Sequence, residues 1–154
     1  MPSAGELIRA SDIGGDVGCR LRRVAVQSIN NITSTSISWD TEDQDTDGFI
    51  AVTGTTITIP TGLGGLYAIQ FQAAAAANLQ ARCFVDIIPT STITGMPAQF
   101  RQIIMTNNND TRYLAGVTIP LLAADSFVVQ VFHTIGAASN HTAWLSCYRI
   151  ASFQ

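Results

Sequence analysis

The residues best equipped for chemistry sit in one short window. Five of the chain's eleven acidic residues fall within Asp40-Thr-Glu42-Asp43-Gln-Asp45-Thr-Asp47, and Gly48-Phe49 follows directly. Oxygens at alternate positions can converge on one hard cation, and a glycine permits the tight turn that such a loop needs. Asp43, Asp45 and Asp47 are therefore candidate ligands for calcium, with Asp40 or Glu42 able to add one more. The twelfth position counted from Asp43 is Gly54 rather than glutamate, and no helix pattern flanks the loop, so this is not an EF-hand. Crowding carboxylates without a cation raises their mutual repulsion, which argues for a metal. Two other readings stand beside that one. The window is a solvated turn whose aspartates accept backbone hydrogen bonds, or it is a docking surface for an arginine-bearing neighbour.

The remaining reactive side chains are scattered. His133 continues an apolar strand and reads as a satisfied edge residue, while His141 adjoins a turn. The two can lie near one another, but no serine or cysteine stands in a nucleophile-elbow setting. Asp86 and Asp125 are isolated, and nothing pairs them as glycosidase acids. The three cysteines, Cys19, Cys83 and Cys147, are odd in number and widely spaced. That argues against a disulfide framework and against zinc-ligand pairs. Cys83 and Cys147 lie in strand-like text and read as small core hydrophobes. No catalytic residue and no cofactor other than calcium is expected, and the chain reads as a non-enzyme.

Composition explains what such a chain does instead. Its 154 residues suit one domain. Hydrophobic residues make up 47%, but charged residues only 12%, about half the usual share. So few charges on so apolar a chain imply that some surface does not face water, and an oligomer interface is the simplest reason. The basic residues are all arginine, and the net charge is -3, which disfavours nucleic acid as a partner. Arg22-Arg23 can touch a phosphate or an acidic partner, or form a solvated strand edge. No signal-peptide pattern is visible and no apolar run is long enough to span a bilayer, so synthesis in a cytosol and no membrane partner are expected.

The elements that must hold these residues read as short strands. Residues 1–18 form a glycine-containing lead-in, with Leu7-Ile8 and Ile13 available to anchor it, and residues 19–154 form the domain. Strands are predicted over Arg20–Ile29, Ile32–Trp39, Phe49–Val52 and Thr55–Ile59, with the acidic turn between the second and third. Leu66 to Gln72 alternates cleanly, placing Tyr67, Ile69 and Phe71 inward and Ala68, Gln70 and Gln72 outward. The alanines after it continue the strand, although propensity alone favours helix. Further strands are predicted over Gln80–Ile88, Gln99–Thr106, Thr111–Ile119, Phe127–His133 and Thr142–Ala151, with Pro60, Pro89 and Pro120 as stops. About nine or ten short strands and no long helix predict an all-β sandwich or jelly roll. Both parities of Phe127–Phe132 are largely apolar, so the outward one also needs a cover.

Three stretches carry a family likeness. They are Thr55-Thr-Ile-Thr-Ile-Pro-Thr-Gly-Leu-Gly-Gly-Leu66-Tyr67-Ala-Ile-Gln-Phe71, Ile119-Pro-Leu-Leu-Ala-Ala-Asp125-Ser-Phe-Val-Val-Gln-Val-Phe132, and Trp144-Leu-Ser-Cys-Tyr148-Arg-Ile150. Their order resembles the C1q/TNF-like jelly roll. The opening Ile37-Ser-Trp39-Asp-Thr-Glu-Asp-Gln-Asp-Thr-Asp-Gly-Phe49 and the lead-in Gly5-Glu-Leu-Ile-Arg-Ala-Ser-Asp12-Ile resemble virion structural proteins of tailed bacteriophages. One departure is Ala124-Asp125, where such domains usually carry Gly-Asp. The resemblance implies a tight homotrimer with aromatics near its axis, the candidates being Tyr67, Phe71, Phe127, Phe132, Trp144 and Tyr148. It further implies a virion location, as head decoration, head fibre or tail knob, with residues 1–18 fastening the domain to other virion proteins. The alternative is a carbohydrate- or host-receptor-binding module that takes a surface glycan. Trp39 and Trp144 both read as strand residues rather than loop residues, which weighs against it.

Overall fold

The computed structural model describes residues 17–50, 54–76, 82–91, 93–105 and 112–153, and every regular element within them is a strand. Most of the lead-in, the polar run Asn107–Asp110 and the start of the strand predicted from Gln80 lie outside the described residues. The strands are β1 (Gly18–Ile29), β2 (Thr35–Ser36), β3 (Thr41–Asp45), β4 (Thr56–Thr58), β5 (Gly65–Ala75), β6 (Arg82–Thr90), β7 (Phe100–Met105), β8 (Arg112–Leu121), β9 (Ser126–His133) and β10 (Ser139–Ser152). They form two antiparallel sheets. Sheet A has the order β3-β1-β10-β5-β8, and sheet B has β2-β9-β6-β7, with β4 also pairing β9.

The period-two pattern decides what lies between the sheets. Cys19, Leu21, Tyr67, Ile69, Phe71, Ala73, Leu145 and Cys147 come inward from sheet A, and Cys83, Val85, Ile87, Phe127, Val129 and Val131 from sheet B. Trp39 and Phe49 enter from connecting segments and meet Phe71 and Tyr67 edge-on, with ring centroids 6.4 and 6.0 Å apart. Such edge contacts suit the ring quadrupoles. The alanines Ala73 and Ala75 are buried strand residues of β5, so a strong strand overrides their helix propensity.

Several boundaries differ from the sequence pattern, for physical reasons. The second predicted strand shrinks to Thr35–Ser36. Phe49 and Ile50 are core residues outside any strand. Pro120 lies inside β8 rather than after it, because β8 is an edge strand with no neighbour to receive an N–H. Pro89 lies inside β6 for a related reason. Pairing with β7 stops at Ile87↔Phe100, so Pro89 has a ladder only toward Phe127 of β9. β1 begins at Gly18, one residue ahead of the expected domain boundary.

The largest correction concerns the acidic window, which is not simply a turn. Thr41–Asp45 is β3, the edge strand of sheet A beside β1. Charged side chains on an edge oppose pairing with a foreign strand. The turn at Ala124-Asp125 keeps the backbone that glycine would favour, since Ala124 has φ 69°. The Leu122 N–H (2.8 Å) and the Ser91 hydroxyl (2.6 Å) both donate to Oδ2 of Asp125, and Ala124 N–H donates to the Ile59 carbonyl (2.9 Å).

Candidate assembly interface

The outward parity of sheet A builds the candidate site. Cross-strand register sets its rows. Arg22, Trp144, Gln72 and Leu114 form one row across β1, β10, β5 and β8, and Arg20, Ser146, Gln70 and Gly116 form the next. Gly18, Tyr148, Ala68 and Thr118 form the third. Trp144 is 41% exposed, Leu114 63% and Ile150 53%. A shallow depression of about 220 Å³ lies among Arg20, Gln70, Gln72, Leu114, Trp144 and Ser146. Small residues in the middle and large apolar residues at the side make a surface that another rigid body can approach closely. No carboxylate stands in these three rows, and of their two arginines, Arg22 is paired with Asp43 of β3.

Tyr148 is fixed on this face by what Gly18 lacks. A Cβ on Gly18 would stand 2.7 Å from Tyr148 Cδ1 and 2.1 Å from the Cys147 carbonyl oxygen. The bare backbone lets the ring lie across β1, and its hydroxyl donates to Gln44 Oε1 of β3 at 3.1 Å. Three strands are thus tied together under the half-buried ring.

The structure sorts the six aromatics expected at an interface. Trp144 and Tyr148 lie on the outer face of sheet A. Tyr67, Phe71 and Phe127 are at most 1% exposed and fill the sandwich core, which corrects the expectation that they meet a partner. Their parity places them inward, and a residue packed between the sheets has no face left. Phe132 lies on the outer face of sheet B, stacked on Phe84 at 4.3 Å with the rings 3° from parallel. Arg101 lies over Phe84 at 4.4 Å and pairs with Asp86 through two hydrogen bonds of 2.8 and 2.7 Å. That face supplies much of its own cover. Sequence reasoning missed Leu114, although its parity opposes the buried Tyr113, Ala115 and Ile119 and marks it as outward.

In the acidic window Asp43, Asp45 and Asp47 each accept hydrogen bonds from protein donors. Asp45 accepts the backbone N–H groups of Asp47, Gly48, Phe49 and Ile50 at 3.3, 2.8, 2.9 and 3.2 Å, so it organises a turn. Asp43 accepts Arg22 Nε at 2.9 Å, and Asp47 accepts the Thr46 hydroxyl. Among the described residues no three carboxylates, histidines or cysteines converge as a metal site. Asp40 serves the bulge of β1 between Arg23 and Gln27, accepting Val24 N–H and Ala25 N–H at 2.9 and 2.8 Å. Partial burial works to raise its pKa, but those bonds, Thr41 and Arg23 together hold it below the usual carboxylate value. Arg22 and Arg23 are therefore partners of this chain's own acids.

His133 and His141 do meet, with ring centroids 5.6 Å apart, but inside the core. The placement of His133 at an edge is thus corrected. His133 Nε2 bonds the Ile29 carbonyl at 2.9 Å and His141 Nδ1 the Ser139 carbonyl at 3.0 Å. Burial first, then the neighbouring His133, pull the His141 pKa down to about 4 against the effect of that carbonyl.

No family model and no curated protein matches this sequence. Solved structures do match. The globular domain of zebrafish complement 1qA protein superposes with a TM-score of 0.68 at 14% identity, over 89% of this chain and 99% of that one. The PRD1 vertex protein P5 gives a TM-score of 0.68 at 12% identity, over 88% and 98%. The Eiger TNF from S. frugiperda gives 0.58 at 8% identity, over 91% and 96%. The chain has the C1q/TNF-like jelly-roll fold. The likeness is to proteins named for complement, a vertex and a TNF rather than for a reaction.

Proposed function

We propose that this chain is a virion structural protein of a tailed bacteriophage that works as a homotrimer through the outer face of sheet A. The observation that carries the reading is the row of Trp144 and Leu114, exposed on a chain with only 12% charged residues. The phage vertex protein among the structural neighbours supports a place on a particle. The trimer supplies cohesion, and the segment ahead of β1 fastens it to neighbouring virion proteins as a head decoration, head fibre or tail knob.

Light scattering on the purified protein tests the trimer. The expected mass is three times the 16.4 kDa of one chain, and a single-chain mass at micromolar protein refutes it. Deleting residues 1–16 tests the attachment, because it leaves Val17 and the β1 strand from Gly18 in place. The truncated trimer is expected to persist but to be absent from particles, and retained attachment refutes that role. Imaging of intact particles then locates it.

The depression beside Trp144 also motivates a glycan-binding reading, since sugars stack on indole rings and Gln70, Gln72 and Arg20 offer hydrogen bonds nearby. Glycan-array binding that disappears in Trp144→Ala supports it, and an inaccessible Trp144 in the assembled protein excludes it.

A further inference from the structure

Two of the three cysteines are brought together by the fold. Cys19 on β1 and Cys147 on β10 are direct cross-strand partners, and both are fully buried on the core side of sheet A. Two residues away along the same ladder, Arg149 N–H donates to the Val17 carbonyl at 2.9 Å. Hydrogen-bonded and non-hydrogen-bonded pairs alternate along an antiparallel ladder, so Cys19 and Cys147 occupy a hydrogen-bonded position, where Cα atoms are about 5.5 Å apart. That separation lies within the disulfide range, whose mode is roughly 5.5–6 Å. Side chains of directly opposed residues also point to the same side of the sheet. Cys83 lies on β6 of the other sheet, opposite His133, and has no such partner.

We infer that Cys19 and Cys147 form a reversible cross-strand disulfide that staples the first long strand of the domain to the last. The oxidant is a low-molecular-weight disulfide such as oxidised glutathione. One cysteine thiolate attacks a sulfur of that reagent, its S–S bond breaks, and one small thiol leaves. The second cysteine thiolate then attacks the mixed disulfide and releases the second small thiol. Two protein S–H bonds become one S–S bond, and two electrons and two protons end on the reagent.

Burial also sets when this happens. The adjoining Cys147 thiol and the dry surroundings push the Cys19 pKa far above its ordinary value, so that sulfur is not an active nucleophile while the sheet is closed, and burial keeps a reagent from both. The bond therefore forms as the strands come together or when they open, and once formed it is shielded from reductants. The closed loop contains nearly the whole domain, and such long loops constrain the unfolded chain most.

The test compares full-length protein refolded in reduced glutathione with protein refolded in oxidised glutathione. After thiol alkylation and intact-mass measurement, the oxidised sample is expected to retain one alkylatable thiol, Cys83, and to weigh two hydrogens less before alkylation. Peptide mapping is expected to join Cys19 to Cys147, and the melting temperature is expected to rise by several degrees over the reduced sample. Cys83→Ser is expected to link just as well, and Cys19→Ala not at all. Three free thiols after oxidative refolding, glutathione adducts without a protein link, or a link involving Cys83 would each overturn the assignment. A linked product that melts no higher than the reduced protein would overturn the staple. Because the principal comparison uses the unaltered sequence, a poorly folding variant does not decide it.

Discussion

On the outside of sheet B, Phe84 and Phe132 stack on each other, Arg101 lies over the stack, and Asp86 holds Arg101 in place. On the outside of sheet A, Trp144 and Leu114 stand with Gln72 between them, 41% and 63% exposed. Ile103, in register with Phe84 on sheet B, is also 62% exposed, so the two faces differ in degree. On sheet B the stacked rings are covered in part by Arg101 of the same chain, whereas among the described residues no such stack or cation lies over the sheet A row. Hydrophobic stabilisation follows area removed from water, whichever molecule removes it. A face that completes itself stabilises the monomer, whereas a face that stays open makes association favourable.

This contrast can be broken most directly at Trp144. Trp144→Glu is expected to reduce the assembled species to single chains, because a central aromatic at an interface contributes on the order of 2–4 kcal/mol. Sedimentation of the variant checks it, and an unchanged mass erases the distinction between the faces. The reciprocal change, Phe84→Ala, is expected to lower folding stability by about 2 kcal/mol while leaving subunit mass unaltered. Urea melts beside light scattering separate the two effects.

Acid probes the interior that the faces share. An unfolded His141 takes up its proton near the ordinary imidazole pKa, whereas the folded one does not until about 4. Between those values the unfolded chain binds more protons, so stability is complete above roughly pH 6.5 and falls as the pH drops toward 4. The loss is expected to be on the order of 2 kcal/mol between about pH 7.5 and about pH 4.5. His141→Phe is expected to flatten that slope in denaturant titrations without changing either outer face. Asp86→Ala removes the anchor of Arg101 and is expected to cost about 1 kcal/mol, reduced by the partial exposure of the arginine. Chelator is expected to leave both mass and melting temperature where they were, since the carboxylates of Asp43, Asp45 and Asp47 have protein partners.

Much of this was readable from the chain. Alternation in Leu66–Gln72 told which side chains enter the core, and the short strands between turn residues told the fold class. What alternation cannot tell is which of two outward faces is covered, because that depends on strands distant in sequence being neighbours. Phe84 and Phe132 meet only because β6 lies beside β9. The acidic window hides its partners for a similar reason. Its partners Arg22 and Arg23 are about twenty residues away, and only the β1–β3 ladder shows that the charges satisfy one another. The pair Cys19 and Cys147 lies near opposite ends of the chain, where spacing carries no information until β1 and β10 are seen side by side. Ala124 shows the opposite case. The departure from glycine was visible, but the backbone kept its left-handed turn and Ala124 absorbs the strain.

The acidic edge of sheet A bears on crowding. On a particle, as the proposed function has it, many copies would stand at short spacing, where any open ladder can recruit the next copy and grow a fibril. Here β3 meets an incoming strand with a line of like charge, so neighbours repel along that direction and remain free to join face to face.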